Sequence, residues 1–294
     1  MRLTVFTPTY NRKYTLGRIY QSFFKQDITL LGEVEWLIVD DGSTDGTEQL
    51  VSTWLKENIP FTLRYIKKSN GGKHTAFNNA VKEAKGDLFF VVDSDDWLDD
   101  NCISNILNKA LIIRNNENLC GIIALKCLPN NVLLGTPYPE NINIASQYEL
   151  VNMGYGGERS LVFKTEILRQ YPYPVIPEER FIGECVVYDQ IDTKYKYFVS
   201  NDVLTVCEYQ ENGLTSNFFK LMMQNATGYK IFYAQRIDMA VRIKERFGYA
   251  IRYWAFKMMK QDSLYNYKGK HKTFVLCSFP FGCVVYIYYK LKKV

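Results

Sequence analysis

The chain has 294 residues, 47% hydrophobic and 23% charged, with a formal net charge of +5. That balance supports a sizeable packed core and excludes a disordered or low-complexity protein. Its seven cysteines are scattered and nowhere spaced C-x-x-C, which argues against a zinc site or disulfide framework and suits a reducing, cytosolic setting. The opening "MRLTVFTPTYNR" has only a short apolar run before a proline, so no signal peptide is expected.

In chain order, "LTVFTPTY" is an apolar run stopped by Pro8, and "LGRIYQSFFKQ" follows with apolar residues at helical spacing. The same strand, polar loop and helix recur in "VEWLIVDDGSTDGTEQLVSTWLKE" and in "FTLRYIKKSNGGKHTAFNNAVKEAKGDLFFVVDSDD". Such repetition predicts an α/β fold with a parallel sheet, and near-continuous apolar runs predict strands covered on both faces. Loops starting at Thr7, Asp40, Asn70 and Asp93 then share the carboxyl edge of the sheet, where open α/β sheets bind ligands. A helix to about Asn115 and the strand-like "CGIIALKCL" come next. The pattern is again helical from Asn217 to about Phe247.

Charge divides the chain. Residues 1–215 carry 21 Lys/Arg against 28 Asp/Glu, whereas 216–294 carry 15 against 3, so a body of net −7 precedes a tail of net +12. The two parts are expected to meet different partners.

Three loops bear chemistry. In "DDGSTDG", Asp40 and Asp41 either cap the next helix or accept a hydrogen bond from a base or sugar. In "NGGKH", Gly72 permits close backbone approach and Lys73 supplies positive charge at a helix start, which fits a phosphate and equally a plain turn. Neither a P-loop nor a G-x-G-x-x-G fingerprint is present. "VVDSDD" sets Asp93, Ser94 and Asp95 at a strand end, where paired carboxylates suit Mg²⁺ or Mn²⁺ completed by phosphate and water; a solvated acidic turn is the other reading. Asp99 and Asp100 read as caps of the following helix.

The ordered set "TPTYNR", "LIVDDGSTDGT", "NGGKHTAFNNAVKEAKGD" and "VVDSDDWL" resembles the inverting family 2 glycosyltransferases. The resemblance is strong over about the first 110 residues and looser to about 215. It implies the GT-A fold, a Rossmann-like, mostly parallel central sheet flanked by helices, here with a helical, basic C-terminal extension. By the same resemblance, 1–215 is the catalytic domain, with 1–110 its nucleotide-sugar half and 111–215 its acceptor half. Residues 216–294 form the C-terminal region.

Carried onto this sequence, the resemblance gives Pro8 and Tyr10 to the donor's base, with Tyr10 stacking. Asp41, or its neighbour Asp40, bonds the base, usually uracil, while Asn70, Gly72 and Lys73 lie beside the nucleotide phosphates. Asp93 and Ser94 face the donor, Asp93 and Asp95 hold the divalent cation, and Asp96 is an auxiliary. The family's Glu-Asp pair has its counterpart in "RFIGECVVYDQI", where Cys185 stands in the aspartate's place. Glu184 is therefore the expected base and Asp189 the second candidate. Glu158 and Arg159 in "MGYGGERSLVFKTEIL" fall on the acceptor-side wall, and "EYQENGLTSN" resembles a closing segment.

The implied activity is metal-assisted transfer of a sugar from a nucleotide sugar, most often a UDP-sugar, to a hydroxyl of a cell-surface polysaccharide or lipid-linked glycan. Two alternatives stay open: a sugar-nucleotide nucleotidyltransferase, and a catalytically degenerate binding member of the fold. In the tail, residues 274–289 lack formal charge and lie between lysine clusters, too short to span a bilayer. They suit an interfacial membrane segment or a buried core helix. The basic tail carries no nucleic-acid recognition motif, and the expected location is cytoplasmic, peripheral at the inner face of the cell membrane.

Overall fold

The computed structural model describes residues 1–208, 218–260 and 267–292. The chain divides into two compact units, Met1–Pro172 with Lys194–Gln210, and Tyr173–Thr193 with Glu211–Val294. The tail unit thus recruits Tyr173–Thr193 from within the segment expected to form the acceptor half. The expected closing segment beyond Glu208 lies outside the described residues.

The first unit contains β1 (Leu3–Thr9), β2 (Val34–Asp40), β3 (Thr62–Lys67), β4 (Leu88–Val91), β5 (Trp97–Leu98), β6 (Leu119–Cys127), β7 (Ile144–Ala145), β8 (Arg159–Lys164) and β9 (Lys196–Val206). Its helices are α1 (Leu16–Phe23), α2 (Ile28–Leu31), α3 (Thr47–Trp54), α4 (Lys73–Glu83), α5 (Cys102–Ile113), α6 (Gln147–Asn152) and α7 (Thr165–Leu168). The strands form one sheet in the order β3-β2-β1-β4-β8-β6-β9-β5, with β7 added to β9.

Pairing is parallel among β3, β2, β1 and β4. Beyond β4 the sheet becomes mixed: β8 runs antiparallel to both β4 and β6, while β6 and β9 are parallel. The predicted parallel character therefore holds for the first half, where each strand is followed by a crossover helix.

All seven residues of β1 and of β2 are buried, because both faces of the sheet are covered. On one face Leu16, Ile19 and Phe23 of α1 pack with Val5, Trp36 and Phe90. Stacked rings extend that cluster, with Tyr20 and Trp54 centroids 4.3 Å apart and Phe23 and Phe61 4.5 Å apart. The opposite face holds Phe6, Phe77 and Phe89, with Phe77 of α4 5.8 Å from Phe6.

Register sets the functional edge. Thr9 pairs with Asp40, and Asp40 with Lys67, so β1, β2 and β3 end side by side. Just past β4, Val92 donates its N–H to Phe6 O at 2.9 Å. The loops after these four strands consequently leave from the same edge. Asp99 and Asp100 do not act as side-chain caps of α5: Asp99 accepts Asn101 N–H at 3.2 Å, and Asp100 pairs with Lys25 at 3.7 Å.

The second unit comprises α8 (Cys185–Asp192), α9 (Phe218–Gln224), α10 (Ala226–Met239), α11 (Ile243–Met259), α12 (Lys272–Cys277) and α13 (Phe279–Lys292). Tyr233, Ile237, Trp254, Phe256 and Val275 form its core, and Trp254 Nε1 donates to Val275 O at 2.7 Å. The helical pattern expected through Phe247 is interrupted twice. At Asn225 the backbone leaves helical geometry, and its side-chain oxygen accepts the N–H groups of Arg180 and Phe181 at 2.9 Å. At Ala240 ψ rises to 121°, and the freed carbonyl accepts Arg246 Nη2 at 2.6 Å. Glu179 is enclosed, accepting Thr227 N–H at 2.7 Å, Gly228 N–H at 2.8 Å and Lys260 Nζ at 2.9 Å. No helix among the described residues is long and apolar enough to cross a membrane.

Candidate active site

The site is assembled at the carboxyl edge of β1, β2 and β4 by loops that bind one another. Asn11 adopts φ 52°. Its N–H donates to Ser43 Oγ at 2.8 Å, and its side-chain oxygen accepts Thr44 N–H at 2.8 Å. Lys13 N–H bonds Asp45 Oδ2 at 2.9 Å, and Asp41 N–H bonds Thr9 O at 2.8 Å. These bonds fix the first two loops while leaving the Tyr10 ring 49% exposed. Pro8 lies within β1, in register with Val39.

The two aspartates of "DDG" do different work. Asp40 is fully buried, accepting Ser43 N–H at 2.7 Å on one oxygen and the Tyr65 hydroxyl on the other. Burial, and then the Asp40 carboxylate, push the Tyr65 phenol pKa far up. Asp40 therefore braces the end of β2 from below.

Asp41 reaches across to the third loop. Its Oδ1 accepts Gly71 N–H at 2.9 Å and Lys68 Nζ at 2.6 Å, and its Oδ2 accepts Gly72 N–H at 2.7 Å. Lys68 also bonds Ser69 O at 2.6 Å and Thr75 Oγ1 at 2.8 Å. Gly72, at φ 95°, turns the chain from this clamp into α4. One acceptor direction is left on Oδ2, since each carboxylate oxygen has two.

Beside the clamp stands the Asp93–Asp96 turn. Lys73, the first residue of α4, pairs with Asp93 at 2.6 Å, and Arg12 lies 3.9 Å from Asp95. Burial would raise the Asp93 pKa, but Lys73, Lys126 and Arg12 outweigh it and hold the group low. Asp95 moves the other way, raised by burial and by the charge of Asp93. Ser94 is buried between them in sequence.

Asp96 faces inward, accepting Lys126 Nζ at 3.2 Å and the Cys207 thiol at 3.1 Å. Burial lifts its pKa to about 6 against the pull of Lys126. Asp96 therefore supports the turn from beneath through its Oδ2. Glu158 is exposed on the loop before β8, close enough for its charge to act on Lys126 and Cys207. Arg159 opens β8 and donates through Nη2 to Tyr155 O.

Glu184 and Asp189 belong to the second unit. Glu184 is exposed at the N-cap of α8 and its carbonyl accepts Val187 N–H at 3.0 Å. Asp189 is 3% exposed and locked bidentate to Arg236 at 2.6 and 2.7 Å. Such a pair holds the fold and leaves no lone carboxylate to take a proton.

Three supporting residues escape sequence reading: Lys68, Arg12 and Lys126. Lys126 left a signal, being the lone cation in the apolar run "CGIIALKCL".

The sheet order and its edge of polar loops define a GT-A-like fold. Residues 4–127 match the family model for glycosyl transferase family 2. It is 26% identical over 205 residues to the poly(ribitol-phosphate) β-N-acetylglucosaminyltransferase TarS of Staphylococcus aureus, covering 69% of this chain and 34% of that one. A crystal structure of TarS residues 1–349 in complex with UDP-GlcNAc superposes with a TM-score of 0.60 at 16% identity, covering 99% of this chain and 92% of that one. A GalNAc(5)-diNAcBac-PP-undecaprenol β-1,3-glucosyltransferase of Campylobacter jejuni is 26% identical over 190 residues, covering 62% and 56% of the two chains. The mannosyltransferase of Pyrobaculum calidifontis, solved in complex with GDP-Man and Mn²⁺, matches in fold with a TM-score of 0.53 at 18% identity, over 96% of this chain and 73% of that one. The chain spans about a third of the length of TarS.

Proposed function

We propose that the protein is an inverting glycosyltransferase that moves a sugar from a UDP-sugar to a hydroxyl of a cell-surface polysaccharide or lipid-linked glycan, working at the cytoplasmic face of the membrane. The observation that carries this reading is the Asp41 clamp, which holds the Asn70–Lys73 loop against the loop edge beside Asp93 and Asp95. The uridine nucleotide is supported by the TarS complex, and the acceptor class by the relatives' names.

Each residue then has a task. Tyr10 offers an exposed ring for stacking on the base, and Pro8 lies two residues before it in β1. Asp41 presents its remaining acceptor direction to a base N–H, while Gly71 and Gly72 let the loop approach the nucleotide closely. Lys73 and Arg12 bring positive charge to the diphosphate side. Glu158 and Arg159 border the acceptor side.

Among the described residues no group of three or more His, Cys, Asp and Glu side chains is placed to hold a metal ion by itself. Asp93 and Asp95, which face Lys73 and Arg12, nonetheless offer the carboxylate oxygens that a hard divalent cation prefers, and diphosphate oxygens can complete the set. Mn²⁺ or Mg²⁺ there supplies neutralisation of charge on the departing diphosphate. Glu184 is proposed as the base that takes the acceptor hydroxyl's proton. The hydroxyl oxygen attacks the anomeric carbon opposite the leaving diphosphate, so configuration inverts without a covalent enzyme intermediate.

A thermal-shift panel of UDP, GDP, CDP and dTDP, with and without Mn²⁺, tests the reading. UDP at about 100 times its Kd is expected to add about 2.7 kcal/mol of stability, chiefly with metal. Stabilisation by another nucleotide and not by UDP overturns the donor assignment.

A further inference from the structure

We infer that the outward face of α13, continued by the start of α11, is a surface that seats on an anionic lipid bilayer. The inference deepens the membrane-side setting proposed above and rests on it only for where the acceptor is found. One side of α13 is used up in packing. Gly282 is buried so closely that a β-carbon there would lie 2.3 Å from Trp254 Cβ. The Phe279 ring sits 4.9 Å from Trp254, and Tyr289 sits 5.8 Å from Phe256.

The other side carries a stripe that remains largely exposed among the described residues. Phe281, Val284, Tyr288 and Leu291 recur at helical spacing and are 56%, 65%, 55% and 72% exposed. The stripe does not stop at the helix. Phe281 meets Phe247 of α11 at 5.2 Å, and Ile243, one turn earlier on α11, is 71% exposed.

Charge selects the occupant. From residue 267 onward the sequence contains no Asp or Glu. Lys272, Lys290 and Lys292 are exposed, and the last two lie over rings, Lys290 5.1 Å from Tyr286 and Lys292 5.0 Å from Phe219 and 5.9 Å from Tyr288. Apolar rings with ammonium groups at their edge are the pattern of a helix lying in a headgroup layer, its lysines directed to lipid phosphates. A second copy of the chain would bring the same lysines against these and be repelled. Orientation follows from length: 14 helical residues extend about 21 Å, short of the ~30 Å hydrocarbon core, so α13 lies along the surface.

The test is co-sedimentation of the full chain with vesicles of phosphatidylcholine alone or with about one third phosphatidylglycerol. Binding is expected to be at least about tenfold stronger to the anionic vesicles and to weaken by a similar factor in high salt. The double variant Val284→Glu/Leu291→Glu should lose about tenfold or more of that binding while keeping the wild-type Tm, since both side chains are exposed. Equal binding to both vesicle types, or binding unchanged in the double variant, overturns the inference. So does sedimentation velocity that finds a lipid-free wild-type dimer dissolved by the two substitutions, because the stripe is then a contact between copies. Vesicle binding that persists when no nucleotide shifts the Tm upholds this surface and counts against the donor reading alone.

Discussion

Replacing Asp41 by Asn tests the clamp with almost no change in shape. Asp41 is 4% exposed and its two oxygens accept Lys68 Nζ, Gly71 N–H and Gly72 N–H at 2.6, 2.9 and 2.7 Å. An amide keeps one oxygen, so whichever way it turns, its NH₂ group faces at least one donor. Hydrogen bonds to a charged group contribute about 1.5–3 kcal/mol each, and breaking a buried ion pair costs about 3–5 kcal/mol. The Lys68 side chain is 20% exposed, and water recovers part of that cost. A net loss of about 3 kcal/mol is expected, which lowers Tm by roughly 6–12 °C for a unit of this size. Lys68→Met should cost about 1–2 kcal/mol, because both glycine bonds survive. Thermal and urea unfolding give the stability change, and calorimetric titration with UDP gives the accompanying loss of affinity as the Asn70–Lys73 loop is released. A D41N protein that melts with wild-type Tm and binds UDP with unchanged affinity would refute the clamp and the reading built on it.

The other predictions concern the second unit. Glu184→Gln is expected to lower the rate of transfer about 10²–10⁴-fold while leaving the UDP-induced Tm shift intact; an unchanged rate removes Glu184 as base. Asp189→Asn, by contrast, should act on folding, costing about 3–5 kcal/mol by stranding Arg236, and a melting curve identical to wild type would contradict the bidentate pair. Glu179 predicts an acid limit. Burial alone would raise its pKa, but Lys260 and the N–H groups of Thr227 and Gly228 hold it below the ordinary value of 4.5. Its folded pKa is thus below its unfolded one, so its stabilisation is complete above pH 4.5 and is lost as pH falls through the folded value. Urea unfolding as a function of pH should show stability falling below that point, and Glu179→Gln should flatten the fall; equal slopes in the two proteins would sink the assignment.

Much of the first half was legible because its pattern is local. Each apolar run followed by a polar, Gly-bearing loop marks a strand entering a helix, and parallel strands of similar length must end on one edge. The loops that carry Tyr10, Asp41, Lys73 and Asp93 do leave from one edge. The separate roles of Asp40 and Asp41 were not legible, since adjacent residues of a strand end point to opposite sides and only the fold decides which side holds Tyr65 and which the glycine loop. Asp96, expected as an auxiliary to Asp95, was not legible as the partner of Lys126, which β6 brings beneath it. The antiparallel insertion of β8 between β4 and β6 had no local signature, because pairing partners far apart in sequence are chosen by which edge is free when the sheet closes.

The tail shows the same division. Composition alone determined that residues 216–294 are basic and aromatic, and that no run there is long enough to span a bilayer. Tertiary structure decided which face of α13 the core consumes. Gly282 admits Trp254 on one side, and the helical repeat then forces Phe281, Val284, Tyr288 and Leu291 to the other, where the protein leaves them exposed.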